Sequence, residues 1–157
     1  MLAAGAIKRK LAPYFEQRSE ILLAYLFGSV ARSRTNELSD LDIALLVDEK
    51  KLRKLDAKEP YGYKAAVIAD LMGLLQKNEI DLVLLHEAPP LLANEVISDG
   101  RLLFCRDEDL RIAFEVTVKH RYVDTRPLRE IKRQYIYERI EQGTFSKLTG
   151  CDQAPNH

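Results

Sequence analysis

Apolar residues recur along this chain in two rhythms. Between residues 6 and 18, Ile7, Leu11, Tyr14 and Phe15 fall at helical spacing, and Pro13 among them is expected to kink that helix or mark a late start. Residues 21–27 (ILLAYLF) and 41–47 (LDIALLV) are short, almost continuously apolar runs, which predicts two buried strands. Gly28-Ser29 closes the first run, and a short helix is expected through Ala31 and Arg32. The charged stretch 48–59 reads as a loop or a short exposed helix. Helical spacing returns over 61–77 through Ala65, Ala66, Ile68, Ala69, Met72 and Leu75, and residues 80–85 (IDLVLL) predict a third strand.

Further along, Pro89-Pro90 opens a helix carried by Leu91, Leu92, Val96 and Ile97, and Gly100 is expected to stop it. Residues 101–105 fit a short edge strand. Residues 107–123 resume helical spacing at Ile112, Val116, Lys119 and Val123. The stretch DTRP, 124–127, then reads as a break carrying the cap of a last helix that runs to about Ile140. The Leu and Ile stripes of these helices are read as core. Residues 143–157 are polar, contain Gly and Pro, and are expected to be a frayed tail. Strands alternating with helices predict an α/β or α+β fold. One domain is expected over residues 1–142, with a helical extension at about 107–141.

Composition narrows the function classes. Length, at 157 residues, suits one domain with a hydrophobic core, and 46% hydrophobic against 31% charged residues argues against disorder. Basic and acidic residues balance at 24 each, so the total gives no sign of a strongly basic nucleic-acid binder, and direct nucleic-acid binding is not expected. Cys105 lies in an apolar run and is expected to be a buried thiol, while Cys151 lies in a polar tail; this is not a disulfide framework and fits a reducing compartment. The first residues lack the apolar stretch of a signal peptide, and no window approaches a membrane span. A cytoplasmic protein is therefore expected.

The chemistry concentrates in LFGSVARSRTNELSDLDIALLV, residues 26–47. Asp40 and Asp42 flank Leu41 at the start of a strand, so their side chains share one face. Two adjacent carboxylates repel each other beside an apolar core, and a divalent cation offsets that repulsion; such a pair with a substrate phosphate is a typical setting for Mg²⁺. Gly28, at the end of the preceding strand, lets backbone approach a ligand closely. A helix beginning at Ser29 would offer free N–H groups to a phosphate, with the serine hydroxyl adding one hydrogen bond and Arg32 one turn on. Asp81 opens its strand much as Asp40 opens the earlier one. If those strands are neighbours, three carboxylates meet, enough to hold two metal ions.

Gly-Ser, ten residues, Asp-x-Asp and a later strand Asp resemble the signature of the DNA polymerase β-like nucleotidyltransferase superfamily, in its minimal (MNT) form. The stretches EIDLVLLHEAPPLLANEVISDGRLLFCRDE and FEVTVKHRYVDTRP are similar to the downstream half of MNT antitoxins, so the likeness covers roughly residues 6–140. The resemblance implies a nucleotidyltransferase fold, a small mixed sheet flanked by helices. It also implies transfer of AMP from ATP to a tyrosine hydroxyl of a cognate HEPN ribonuclease toxin, in a hetero-oligomer with that toxin. Carried over, Gly28 and Ser29 handle the triphosphate, Asp40 and Asp42 bind both metals, and Asp81 holds the metal nearer the acceptor and helps remove its proton. One departure is Ser33, where many members have Gly.

Two other functions compete. An adenylyltransferase acting on a small hydroxylated molecule such as an aminoglycoside would keep the fold, although such enzymes carry a longer helical domain. A non-catalytic toxin binder would keep only the surface. His86, His120 and His157 show no metal-ligand spacing. The basic last helix (Arg126, Arg129, Lys132, Arg133, Arg139) reads as a solvated face, and at least one of Tyr135 and Tyr137 is expected to be exposed.

Overall fold

A computed structural model of the chain describes residues 3–31 and 40–142. Its elements follow in the order α1 (Ala4–Gln17), β1 (Ile21–Phe27), α2 (Gly28–Ala31), β2 (Leu41–Val47), α3 (Glu49–Lys58), α4 (Tyr63–Leu75), β3 (Ile80–Leu84), α5 (Pro90–Asp99), β4 (Arg101–Cys105), α6 (Glu108–Asp124) and α7 (Arg126–Glu141). The strands form one mixed four-stranded sheet in the order β3-β2-β1-β4. The α+β class expected from the alternation is the one found, with β4 at an edge.

Strand directions follow from the connections. β1 is antiparallel to β2 and to β4, whereas β2 and β3 are parallel. A parallel pair needs a crossover, and α3 with α4 supplies it. Alternation along each strand divides the side chains between two faces. On one face Ala24, Leu26, Ile43, Leu45, Leu82 and Leu103 pack with Ile7, Leu11 and Phe15 of α1 and Val67 and Leu71 of α4. On the other, Leu23, Tyr25, Ala44 and Leu85 pack with Val96 of α5, and Leu110 and Phe114 of α6 lie against them. Burying a Leu, Ile or Phe side chain contributes about 1.5–3 kcal/mol, so these two clusters hold the sheet.

Polar groups secure the margins. Glu20, only 5% exposed, accepts from Tyr63 Oη at 3.0 Å and from Arg18 Nη1 at 3.3 Å. Arg18 Nη2 also donates to Asp70 at 2.6 Å, tying the end of α1 to α4. Asp48 caps α3, accepting from the backbone N–H groups of Lys50 and Lys51. That cap explains why the charged stretch 48–59 is helical although α3 buries no residue.

Several expectations are corrected. Pro13 marks no late start: α1 begins at Ala4 and runs on through it, because Ile7, Leu11 and Phe15 are fully buried on one stripe. On α6, Ile112, Val116 and Val123 are exposed (54%, 49% and 62%) and not core. A second stripe at the same spacing, Leu110, Phe114 and Val118, is the one that packs, and periodicity cannot choose between two such stripes. Thr125 does not cap α7: its hydroxyl donates back to the carbonyls of Arg121 and Tyr122. Gly100 does stop α5 as expected, in extended backbone; a Cβ there would lie 2.2 Å from the Val96 carbonyl oxygen. Cys105 is half-buried, not enclosed.

The chain divides into two compact units, one through Lys119 and one from His120. The second contains α7, whose Leu128, Ile131, Tyr135 and Tyr137 are all exposed. No helix among the described residues is long and apolar enough to cross a membrane. Residues 143–157, expected as a tail, lie outside the described residues.

Candidate active site

The sheet register assembles the acidic end. Phe27 of β1 is level with Asp42 of β2, and Asp42 is level with Asp81 of β3. Level residues on neighbouring strands share a face, so Asp42 and Asp81 project together from the face that carries Ala44, Val83 and Leu85. Asp40 sits one residue before β2, exposed at the lip of the sheet. Asp81 is thus aligned with Asp42, not with Asp40 as the sequence comparison of strand starts suggests.

The electrostatics register this crowding. Asp42 is held above the ordinary carboxylate range, first by partial burial and then by the charges of Asp81 and Asp40. Each of those neighbours therefore lies close enough to oppose its ionisation. Among the described residues no three His, Cys, Asp or Glu side chains are gathered at the spacing a bound metal ion imposes. The donors are all carboxylate oxygens, the hard ligands that suit Mg²⁺ and not a thiolate-seeking or imidazole-seeking metal. A divalent cation would also relieve the repulsion that raises Asp42. In donor type and in charge the residues present suit magnesium, although they are not gathered at the spacing of an occupied site.

Gly28 begins the turn that faces these carboxylates. Its φ of +73° lies in the left-handed region, and a Cβ would meet Asp42 Oδ2 at 2.2 Å. Only glycine combines that backbone with that approach. Ser29 follows in α2 and keeps partial solvent contact, so the turn is open to a ligand. α2 is one turn long, so what it offers a phosphate is free backbone N–H groups more than a helix dipole. Arg32, the remaining candidate for phosphate contact, lies outside the described residues.

A fourth carboxylate belongs to this end of the sheet. Glu79 is pushed above the ordinary carboxylate range, first by the neighbouring Asp40 carboxylate. The Glu79 carbonyl also accepts from Leu41 N at 3.2 Å, extending the β2–β3 ladder. With Asp40, Ile80 and Asp81 it lines an open cavity of about 370 Å³. The signal in the sequence was an acidic residue two positions before Asp81, on the same strand face. His86 stands apart: it follows β3 at the opposite end and lines a different cavity with Arg53, Tyr63 and Lys64.

Comparison with known proteins bears on the family and the fold. The sequence model of the polymerase beta nucleotidyltransferase family matches residues 9–109. The chain is 37% identical over 82 residues to a protein adenylyltransferase, MntA, from Aphanizomenon flos-aquae (strain 2012/KM1/D3), an alignment covering 50% of this chain and 53% of the relative. It spans about half the length of that curated relative. Among solved structures, a toxin–antitoxin with AMP-PNP shares the fold with a TM-score of 0.55 at 24% identity, over 85% of this chain and 98% of the other. A structure of a tri-AMPylated Shewanella oneidensis HEPN toxin in complex with an MNT antitoxin shares it with a TM-score of 0.51 at 22% identity, over 87% and 98%.

Proposed function

Since the chain belongs to the polymerase beta nucleotidyltransferase family, we propose that it transfers AMP from ATP to a tyrosine hydroxyl of a cognate HEPN ribonuclease toxin, with Mg²⁺, and so acts as a cytoplasmic antitoxin. The observation that carries this reading is the row Asp42–Asp81, with Asp40 at its lip and Gly28 pressed against Asp42. The likeness to an adenylyltransferase named MntA favours AMP as the group moved and a protein as its acceptor.

Each residue then has a role. Asp40, Asp42 and Asp81 hold magnesium, which when bound neutralises triphosphate charge and eases ionisation of the acceptor hydroxyl. Backbone N–H groups of the Gly28–Ser29 turn bind the triphosphate, and the Ser29 hydroxyl adds a donor. Arg32 adds a cation to the same group. Asp81, exposed and among the residues lining the cavity, accepts the proton of the incoming tyrosine hydroxyl. The tyrosine oxygen forms a bond to the α-phosphorus as the bond to pyrophosphate breaks, in line. Positioning and charge supply most of the acceleration in such a transfer.

The direct experiment incubates the full chain with the product of the neighbouring gene, Mg²⁺ and labelled ATP. A labelled partner that gains the mass of an AMP unit is the expected result. Label on an aminoglycoside instead would move the acceptor to a small molecule. Toxin neutralisation that survives joint replacement of Asp40 and Asp42 by Ala would reduce the protein to a binder, and absence of any transfer would sink the enzymatic reading.

A further inference from the structure

The Gly28–Ser29 turn leads into α2, where Val30 and Ala31 pack against the core. α2 is four residues long, and Ala31 is its one buried residue. The carbonyl oxygen of Ala31, the last described residue of α2, accepts a hydrogen bond from Arg101 Nε at 3.1 Å. Arg101 comes from the edge strand β4, far along the chain, and reaches the turn for a local reason. β4 pairs with β1 through Tyr25–Leu102 and Leu26–Arg101, so Arg101 is level with the residue two before Gly28. Gly100 allows this approach: a Cβ there would lie 3.1 Å from the Leu26 carbonyl oxygen as well as clashing with Val96.

We propose that Arg101 is a positioning residue for nucleotide binding, holding the phosphate-facing turn in register with Asp42 through the Ala31 carbonyl. The inference rests on the nucleotidyl-transfer reading and adds a residue to it. A guanidinium on a backbone carbonyl makes a charge-assisted bond, stronger than a neutral one. Arg101 is exposed, so its removal leaves both core clusters intact. What it loses is the far anchor of α2. The near end is the glycine that has no clearance from Asp42, so a small rotation of α2 changes the gap into which the triphosphate must fit.

The test compares wild type, Arg101→Ala and Arg101→Lys as full chains. Calorimetric titration with MgATP gives the binding affinity without the partner; transfer from MgATP to the cognate partner gives KM and kcat. Arg101→Ala is expected to weaken MgATP binding about tenfold and to raise the KM for ATP about tenfold, with kcat changed less than about twofold. Arg101→Lys keeps a donor for the Ala31 carbonyl and is expected to recover most of both effects. Unchanged MgATP affinity in Arg101→Ala overturns the proposal, as does an equal fall in kcat with KM unmoved. If the alanine variant fails to fold, the lysine variant decides: unaltered folding with KM raised as far as other Arg101 replacements, such as Arg101→Gln, overturns it. If wild type transfers nothing, the functional reading fails by itself, while calorimetry still reports whether Arg101 supports nucleotide binding.

Discussion

Gly28 and Asp42 occupy each other's space: a methyl group on Gly28 would come within 2.2 Å of Asp42 Oδ2. The contact joins the end of β1 to the second residue of β2, where Phe27 and Asp42 are already level. Replacing Gly28 by Ala must therefore strain a backbone at φ +73° and push the carboxylate aside. The left-handed conformation costs a non-glycine residue about 1–2 kcal/mol. The displaced carboxylate costs function more than stability, since Asp42 can swing outward. Gly28→Ala is expected to remain folded, to melt a few degrees lower, and to lose about a hundredfold or more in transfer rate. Circular dichroism melts and label transfer check this; a variant with wild-type activity would show that the close approach is dispensable.

Asp42 also sets how stability depends on pH and metal. Its folded-state pKa lies above the ordinary value, through burial first and then Asp81 and Asp40. A carboxyl raised in the fold contributes stability that is fully present below its unfolded pKa and is lost as pH rises through the folded one. Asp42→Asn escapes that loss. In EDTA its melting temperature should equal wild type in acid and exceed it above the raised value, by less than about 1 kcal/mol because the group keeps solvent contact. Adding Mg²⁺ should then reverse the order, stabilising wild type by mass action and leaving the variant nearly unmoved. Thermal melts across pH, with and without Mg²⁺, read both signs.

Much of this arrangement is legible in the residues because it is local. β1 and β2 are bounded by Gly28-Ser29 and by Asp40, so apolar runs end where the chemistry begins. Asp81 is recognisable for the same reason. What needs partners from afar is not legible. The alignment of Asp81 with Asp42 depends on the β2–β3 register. The nearness of Asp40 and Glu79 needs both strand starts in place, and the reach of Arg101 to Ala31 spans 70 positions. On α6 two stripes share one spacing, and only the position of β1 selects the inner one, helped by Tyr25 Oη donating to Glu115 Oε1 at 2.9 Å.

Tyr63 tests how far a single hydrogen bond supports the fold away from the site. Its ring is 1% exposed, and its hydroxyl donates to Glu20, itself 5% exposed. Burial and the Glu20 charge raise the Tyr63 pKa, so the hydroxyl remains a donor throughout the working range. Tyr63→Phe keeps the packing and leaves Glu20 with Arg18 alone, at 3.3 Å. Hydrogen bonds to charged groups contribute about 1.5–3 kcal/mol, and urea unfolding should show a loss in that range. Transfer activity at low denaturant should be unchanged, because no catalytic candidate touches this network. A loss below about 0.5 kcal/mol would mean that water replaces the hydroxyl.

Pro13 poses the opposite case, a residue the fold tolerates at a cost. It lies within α1, exposed, with Leu11 and Phe15 buried on either side. It withholds an N–H from the Arg9 carbonyl, and its ring crowds that oxygen. Burial of Ile7, Leu11 and Phe15, at about 1.5–3 kcal/mol each, outweighs a penalty of about 3 kcal/mol for proline in a helix interior. Alanine restores the bond and removes the crowding, and loses the restriction proline places on the unfolded chain, worth about 0.4–1 kcal/mol. Pro13→Ala should therefore be stabilising by about 2–2.6 kcal/mol. α1 packs on the sheet face opposite the carboxylates, so activity should be unaltered. A melt that moves down instead would show that Pro13 fixes a bend on which the packing of Phe15 depends.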